Sequence, residues 1–286
     1  MLGIASGLML ANKVSEGAII SEETGNFLSI RAVAGSGVEL VPFQSTIRGS
    51  FTFAFWAGVG AIAFSEGSTV FFGGQRTASS VTENLAFFID DDAKLGYTFE
   101  ANNDPVSAIS ASAALTKFSS NANHFAFVVT KNSSSNTTFA VYLNGSEVTM
   151  ASATGALSET NHNQYTSAEN LHLGAFAIAD GAPARNSRNV IYKQAALWNS
   201  ALNASNIAAL QAMGHGLGSF AGQSEGLETY ASGAIDLTSA SGDYNAQGDL
   251  VAYWKLNEGS GTTANDSSGN GNNGTLVGHP HNAALV

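Results

Sequence analysis

The residue types able to do chemistry are sparse in this sequence and scattered along it. There are 22 carboxylates, six histidines and no cysteine. The missing thiol excludes disulfides, thiolate catalysis and Cys-type zinc sites. Acid–base hydrolysis needs two carboxylates held close together, which a strand supplies through its period of two. The single Asp-x-Asp pair is Asp90 and Asp92, inside the acidic turn Asp90-Asp91-Asp92 with no Glu beside it, while Glu225 and Glu228 stand in a Gly/Ser-rich stretch. His124, His162, His172, His215, His279 and His281 form no His-x-x-x-His pair, and none sits beside a metal-type carboxylate. His172 alternates within an apolar run, as a half-buried, hydrogen-bonded histidine would, and His279-Pro280-His281 reads as a solvated tail. No P-loop occurs. The Gly-rich run Gly214-His215-Gly216-Leu217-Gly218 follows a helical pattern rather than a strand, the wrong setting for phosphate. The expectation is a protein that is not an enzyme.

One run has the chemistry of a hard-cation site. Asp266-Ser267-Ser268-Gly269-Asn270-Gly271-Asn272-Asn273-Gly274 places side-chain oxygens on a Gly-rich turn. Asp266, Asn270 and Asn272 are therefore candidate calcium ligands. The same composition also makes a plain turn, in which Asn and Gly supply positive φ. The run lacks the closing bidentate Glu of an EF-hand.

The elements that must position these residues are short and alternating. Phe51-Thr52-Phe53-Ala54-Phe55-Trp56 puts three phenylalanines on one face and Trp56 on the other, the pattern of a central strand. Leu85 to Ile89, the acidic turn and Leu95 to Phe99 read as a hairpin. Phe125 to Val129 and Phe139 to Leu143 form a second pair, followed by Asn144-Gly145, a type I′ turn signal, with Val148-Thr149-Met150 as the return strand. Val70-Phe71-Phe72, Leu171 to Phe176 and Val190 to Trp198 add strands. Phe27 to Val33 and Val38 to Val41 are weaker ones. One helix is expected, capped by Asn203, with Ile207 and Leu210 on its buried face and Gly214 as its stop. The fold class is therefore all-β, an antiparallel β-sandwich with one short helix near the C-terminal third. The chain divides into an N-terminal arm with the first strands (1–43), a jelly roll (44–213), a Gly/Ser-rich connector (214–249) and a C-terminal strand segment (250–286). Tyr253, Trp254 and Leu256 are too apolar to leave in water, so that last segment is expected to pack on the sandwich in cis or on a neighbouring subunit.

Charge narrows the partners. Eleven basic against 22 acidic residues give a net charge of −11, which repels phosphate backbones and argues against nucleic acid. No apolar run approaches the roughly 18 residues a spanning helix needs, so membrane insertion is not expected. Met1 to Leu10 is mildly apolar, but the first basic residue is Lys13, the wrong order for a secretory signal.

At these residues the sequence resembles the laminin-G-like, concanavalin-A-like jelly rolls. Phe51 to Trp56, Val141-Tyr142-Leu143-Asn144-Gly145, Ala196 to Leu202 leading into the Ile207 helix, and Leu250 to Gly278 each resemble a segment of that family, together covering residues 38 to 278 in patches. The order departs from the family, whose Tyr-Trp…Asn-Glu-Gly-Ser-Gly segment opens the domain, whereas here it comes last. That arrangement, with the opening Met1 to Leu8, is similar to structural proteins of marine bacteriophages. The resemblance implies a virion structural protein, a capsid decoration or a tail or fibre module, whose partners are other virion proteins and copies of itself in a homo-oligomer. The alternative it implies is a glycan-binding lectin module, extracellular or on a bacterial surface. Domains of this class bind sugars at loop tips through exposed aromatics, so Tyr165, Tyr244 and Trp198 become candidates, with Trp198 better placed beneath the helix. The family's retaining glucanases carry a Glu-x-Asp-x-x-Glu strand, and this sequence has none.

Overall fold

The structure is a computed structural model that describes residues 28–30, 37–39, 43–59, 70–76, 84–90, 92–101, 104–115, 122–132, 136–151, 158–164, 170–176, 185–186, 190–213, 235–258, 260–277 and 283–285. In chain order its strands are β1 (Leu28–Ile30), β2 (Gly37–Glu39), β3 (Phe51–Val59), β4 (Val70–Arg76), β5 (Asn84–Ile89), β6 (Leu95–Ala101), β7 (Asp104–Ile109), β8 (Ala122–Lys131) and β9 (Thr137–Leu143). They continue with β10 (Ser146–Glu147), β11 (His172–Leu173), β12 (Ala175–Phe176), β13 (Arg185–Asn186), β14 (Val190–Trp198), β15 (Leu250–Trp254), β16 (Thr263–Ala264), β17 (Gly274–Val277) and β18 (Ala283–Leu285). The helices are α1 (Gln44–Ile47), α2 (Glu159–Asn163) and α3 (Ala204–Met213).

Two antiparallel sheets face each other. The first runs β10-β9-β8-β3-β14-β1-β18, with β15 also paired to β14, and the second runs β16-β17-β2-β11-β4-β5-β6-β7. The alternation of β3 explains its central place. Phe51, Phe53 and Phe55 point into the space between the sheets, while Ala54 and Trp56 point to the opposite face, and all are buried. Phe87 from the second sheet stacks on Phe127 from the first, with ring centroids 4.1 Å apart. Leu85, Ile89, Leu95, Phe99, Phe125 and Tyr192 fill the rest of this core. The fold is thus the expected all-β antiparallel sandwich.

A second apolar layer covers the outer face of the first sheet. Ala54, Ala126, Val128, Tyr142, Ala196 and Trp198 present that face. Leu202, Ile207 and Leu210 of α3 and its approach, with Ile235, Leu237, Tyr244 and Ala246, close over it. Helix α3 begins as expected: Asn203 Oδ1 accepts the Asn206 amide at 2.9 Å, which satisfies one orphan donor of the first turn. Gly214, its expected stop, lies outside the described residues. The helix packs tightly enough on the β9–β10 hairpin that Gly145 faces Ala208 and Gln211; Gly145 and Asn144 take φ of 80° and 49°, as a type I′ turn requires.

The structure departs from the sequence reading in several places. There are three α-helices and one short 3-10 helix (Gln247–Asp249) among the described residues, not one helix. The short α2 is nucleated by Ser158, whose side chain accepts from Asn161, and four or five residues are too few for a periodic signal. The strand expected over Leu171 to Phe176 splits into β11 and β12. The return strand after Asn144-Gly145 is Ser146–Glu147 rather than Val148 to Met150, because a two-residue turn pairs the very next residues. Strands lying before residue 44 and after residue 250 belong to the same two sheets: β1 and β15 both pair with β14, and β17 pairs with β2. Trp254 and Leu256 are fully buried in the central core, and Tyr253 is buried in the outer layer.

Candidate functional site

The candidate cation run is a hydrogen-bonded turn. Asp266 Oδ1 accepts from the amides of Tyr253 at 2.9 Å and Ser268 at 2.8 Å. Its Oδ2 accepts from Ser268 Oγ at 2.8 Å and the Asn272 amide at 2.9 Å. Burial pushes the carboxyl pKa up, but these donated hydrogen bonds outweigh it and hold the group below the usual carboxylate range. Asn270 and Asn272 turn their amide nitrogens, not their oxygens, to the chain: both donate to Val251 O, at 3.0 and 2.8 Å. The carboxylate's lone pairs are occupied by this chain's own donors, so the geometry is that of a clamp on β15. In this arrangement Asp266, Asn270 and Asn272 act as turn residues that tie the run to β15. Among the described residues no three His, Asp or Glu gather as a metal site. Asp90, in the other acidic turn, caps the amides of Asp92 and Lys94 at 2.9 and 2.8 Å.

The candidate stacking aromatics fare differently from one another. Tyr165 lies outside the described residues, as do Glu225, Glu228, His215, His279 and His281. Tyr244 is fully buried: its hydroxyl donates to Leu237 O at 2.8 Å and accepts from Trp198 Nε1 at 3.2 Å. A ring held this way beneath the surface has no face for a sugar, which corrects the expectation for Tyr244. Trp198 is buried under α3, as its place before the helix suggested. Two histidines are also structural. His162 Nε2 donates to Ile47 O at 2.7 Å while its Nδ1 faces Thr137 Oγ1 at 2.8 Å, and burial lowers its pKa. His172 is half-buried on β11, its Nδ1 donating to Asn170 O at 2.9 Å.

What the structure brings together instead is the outer face of the second sheet. On β5, Leu85, Phe87 and Ile89 point into the core, so Ala86 and Phe88 point outward. On β6 the inward set is Leu95, Tyr97 and Phe99, which leaves Gly96, Thr98 and Glu100 outward. Register then lines up one row across five strands: His172 opposite Gly74, Gly74 opposite Ala86, Ala86 opposite Thr98, and Thr98 opposite Ser107. The adjacent row pairs Phe88 with Gly96, and Gly96 with Ile109. The Phe88 ring lies across Gly96 so closely that a β-carbon there would collide with it. Phe88, Thr98, Glu100, Ser107, Ile109 and His172 are all half-buried. The result is an aromatic ring on a floor of small residues, with two hydroxyls, an imidazole and a carboxylate on the same face of the sheet. Such a surface sets an apolar ring face and polar side chains on one side of a sheet, the two kinds of group that a sugar-contacting surface uses.

Sequence reasoning passed over Phe88 because Leu85-Ala86-Phe87-Phe88-Ile89 is apolar throughout, and a continuous apolar run does not say which side is core. The usable signal was Gly96, a glycine set inside an otherwise good strand opposite that run.

No protein-family model matches the chain, and no curated protein sequence matches it. Solved structures do. A Bacteroides ovatus protein proposed to bind carbohydrate is 13% identical, with a TM-score of 0.50, over 90% of this chain and 60% of that one. The carbohydrate-binding module CBM40 of a Ruminococcus gnavus IT-sialidase is 14% identical, with a TM-score of 0.47, over 64% of this chain and 96% of the module. A heptameric SAP-like pentraxin from Limulus polyphemus is 11% identical, with a TM-score of 0.42, over 67% of this chain and 84% of the pentraxin. At 13% identity the likeness to the Bacteroides protein is one of fold, and this chain shares with that protein an antiparallel β-sandwich.

Proposed function

We propose that this chain is a carbohydrate-binding module whose ligand face is the outer surface of the second sheet. The observation that carries the reading is Phe88 laid across Gly96 beside the polar row of His172, Thr98 and Ser107. The likeness to the Bacteroides ovatus protein brings a fold and not a ligand. That protein's own proposed role is in keeping with the reading. We hold the module non-catalytic: incubation with β-glucans, agars and alginates should release no reducing sugar, and release that depends on a carboxylate of this chain would sink that part. A glycan array probed with the full chain and with Phe88→Ala tests the binding. The expected result is a set of hits with the wild type that fall about two- to tenfold with the variant, the scale on which one lost stacking contact reads out. Hits unchanged in Phe88→Ala would move the site elsewhere.

The location of the module is a finer proposal. The virion reading rests on the resemblance at the two ends of the chain, and Met1 to Leu8 lie outside the described residues; the glycan-binding lectin reading rests on the face just described. Mass spectrometry of purified phage particles separates them, since a virion component is present there in fixed proportion to the capsid protein.

A further inference from the structure

His124 occupies an unusual position in the covered face of the first sheet. It sits on β8 opposite Trp56, their ring centroids 5.3 Å apart, and is 3% exposed. Its Nδ1 is buried without a hydrogen-bond partner. The ring borders a cavity of about 20 Å³ whose walls are Trp56 and Trp198, Gln194, Leu210 of α3, and Ile235 and Leu237 of the covering segment. Gln194 is itself at φ 53°, where β14 slips register against β3. A neutral imidazole fits this seam; a charged one would have no counter-ion among the described lining residues. The charged residues on the packed elements are Lys193 of β14, opposite Trp56 in register, the exposed Asp236, Asp243 and Asp249 of the cover, and the exposed Glu147 on β10; α3 carries none. Asp236 is already engaged by Thr238 and Ser239.

We propose that His124 is an acid-triggered release for the C-terminal cover: protonation places a charge in the apolar seam and lifts residues 235–249, Tyr244 among them, away from the first sheet, opening the face that holds Trp198. Burial lowers the ring's pKa to about 4. The folded value lies below the ordinary histidine value, so the stabilisation from the neutral ring is complete above about pH 6.5 and is lost as pH falls toward about 4. If the opened cover leaves an ordinary histidine, opening becomes roughly 20-fold more favourable between pH 7 and about pH 5.

Hydrogen exchange on the full chain, corrected for intrinsic rates at the two pH values, reads this directly. Peptides within 235–249 should lose about 20-fold in protection while peptides within 95–109 of the second sheet keep theirs. His124→Phe, which keeps a ring against Trp56 but cannot be charged, should remove the response, and His162→Gln should leave it. Should His124→Phe not fold, NMR titration of the wild type replaces it: the His124 ring and the 235–249 amides must shift with one midpoint. Protection of 235–249 that is unchanged at pH 5, a response that survives in His124→Phe, separate midpoints, or both regions opening together would each overturn the proposal.

Discussion

The two outer faces of the sandwich are built from the same materials and end differently. Each carries aromatic side chains on the side of a sheet turned away from the core. On the first sheet Trp198 and Tyr253 are sealed under α3 and residues 235–246, which include Tyr244, and their polar atoms are bonded within the chain: Trp198 Nε1 to the Tyr244 hydroxyl, and the Tyr253 hydroxyl to Ile235 O at 3.3 Å. On the second sheet Phe88 remains half-buried, its ring laid across Gly96. The difference teaches that an aromatic's chemistry here is set by the cover, not by the strand that carries it. Trp198 and Tyr244, two of the residues first suspected of binding, are structural, and a phenylalanine inside an apolar run is the candidate.

The comparison can be broken most severely at the sealed side. Trp254 is fully buried, packs edge-on against Phe43 with centroids 6.1 Å apart, and donates from Nε1 to Asn272 O at 2.8 Å. Trp254→Ala should cost about 3–5 kcal/mol, enough to threaten folding, read by urea denaturation. A loss below about 1 kcal/mol would mean that β15 is peripheral to the core. Next in size is Tyr244→Phe, which removes the hydroxyl joining Trp198 to Leu237 and leaves buried partners unsatisfied; the same measurement should show a loss of about 1–3 kcal/mol.

Asp266 gives a smaller, pH-dependent effect. Its folded pKa is held below the ordinary value by donated hydrogen bonds, so the stabilisation is present above that ordinary value and is lost as pH falls through the folded one. Asp266→Asn should therefore flatten the acid limb of the stability curve, measured as thermal midpoint against pH. Calcium added to chelator-treated protein should leave the wild-type midpoint unchanged, because the carboxylate already accepts from Tyr253, Ser268 and Asn272. A rise in midpoint that Asp266→Asn abolishes would restore the cation reading. Smallest of all in stability is Phe88→Ala, at under about 1 kcal/mol for a half-buried ring outside the core, with its effect falling on binding.

Much of the sandwich was legible in the sequence. The alternation of Phe51 to Trp56 assigned both faces of β3, Asn144-Gly145 fixed a hairpin, and Asn203, Ile207 and Leu210 defined α3, because each is a local pattern with a local cause. The partner of each strand was not legible, since register between β5 and β6 or β14 and β15 depends on residues far apart in the chain. The site suffered from the same limit. Asp266, Asn270 and Asn272 offered oxygens by composition, yet whether those oxygens face a cation or the amides around β15 is decided by the fold. Tyr244 looked like an exposed aromatic in a polar loop, and only its long-range contact with Trp198 shows it to be core.

The central claim is that the second sheet's outer face meets the glycan. Backbone-assigned NMR of the full chain, titrated with the glycan that the array ranks first, tests it residue by residue. The account predicts that the largest shifts fall on Phe88, Gly96, Thr98 and Ser107, that the amides of Trp198 and Tyr244 stay in place, and that Gly96→Ala, which displaces the Phe88 ring, removes the shifts. Shifts gathered on the first sheet or on α3, with Gly96→Ala binding as the wild type does, would contradict it.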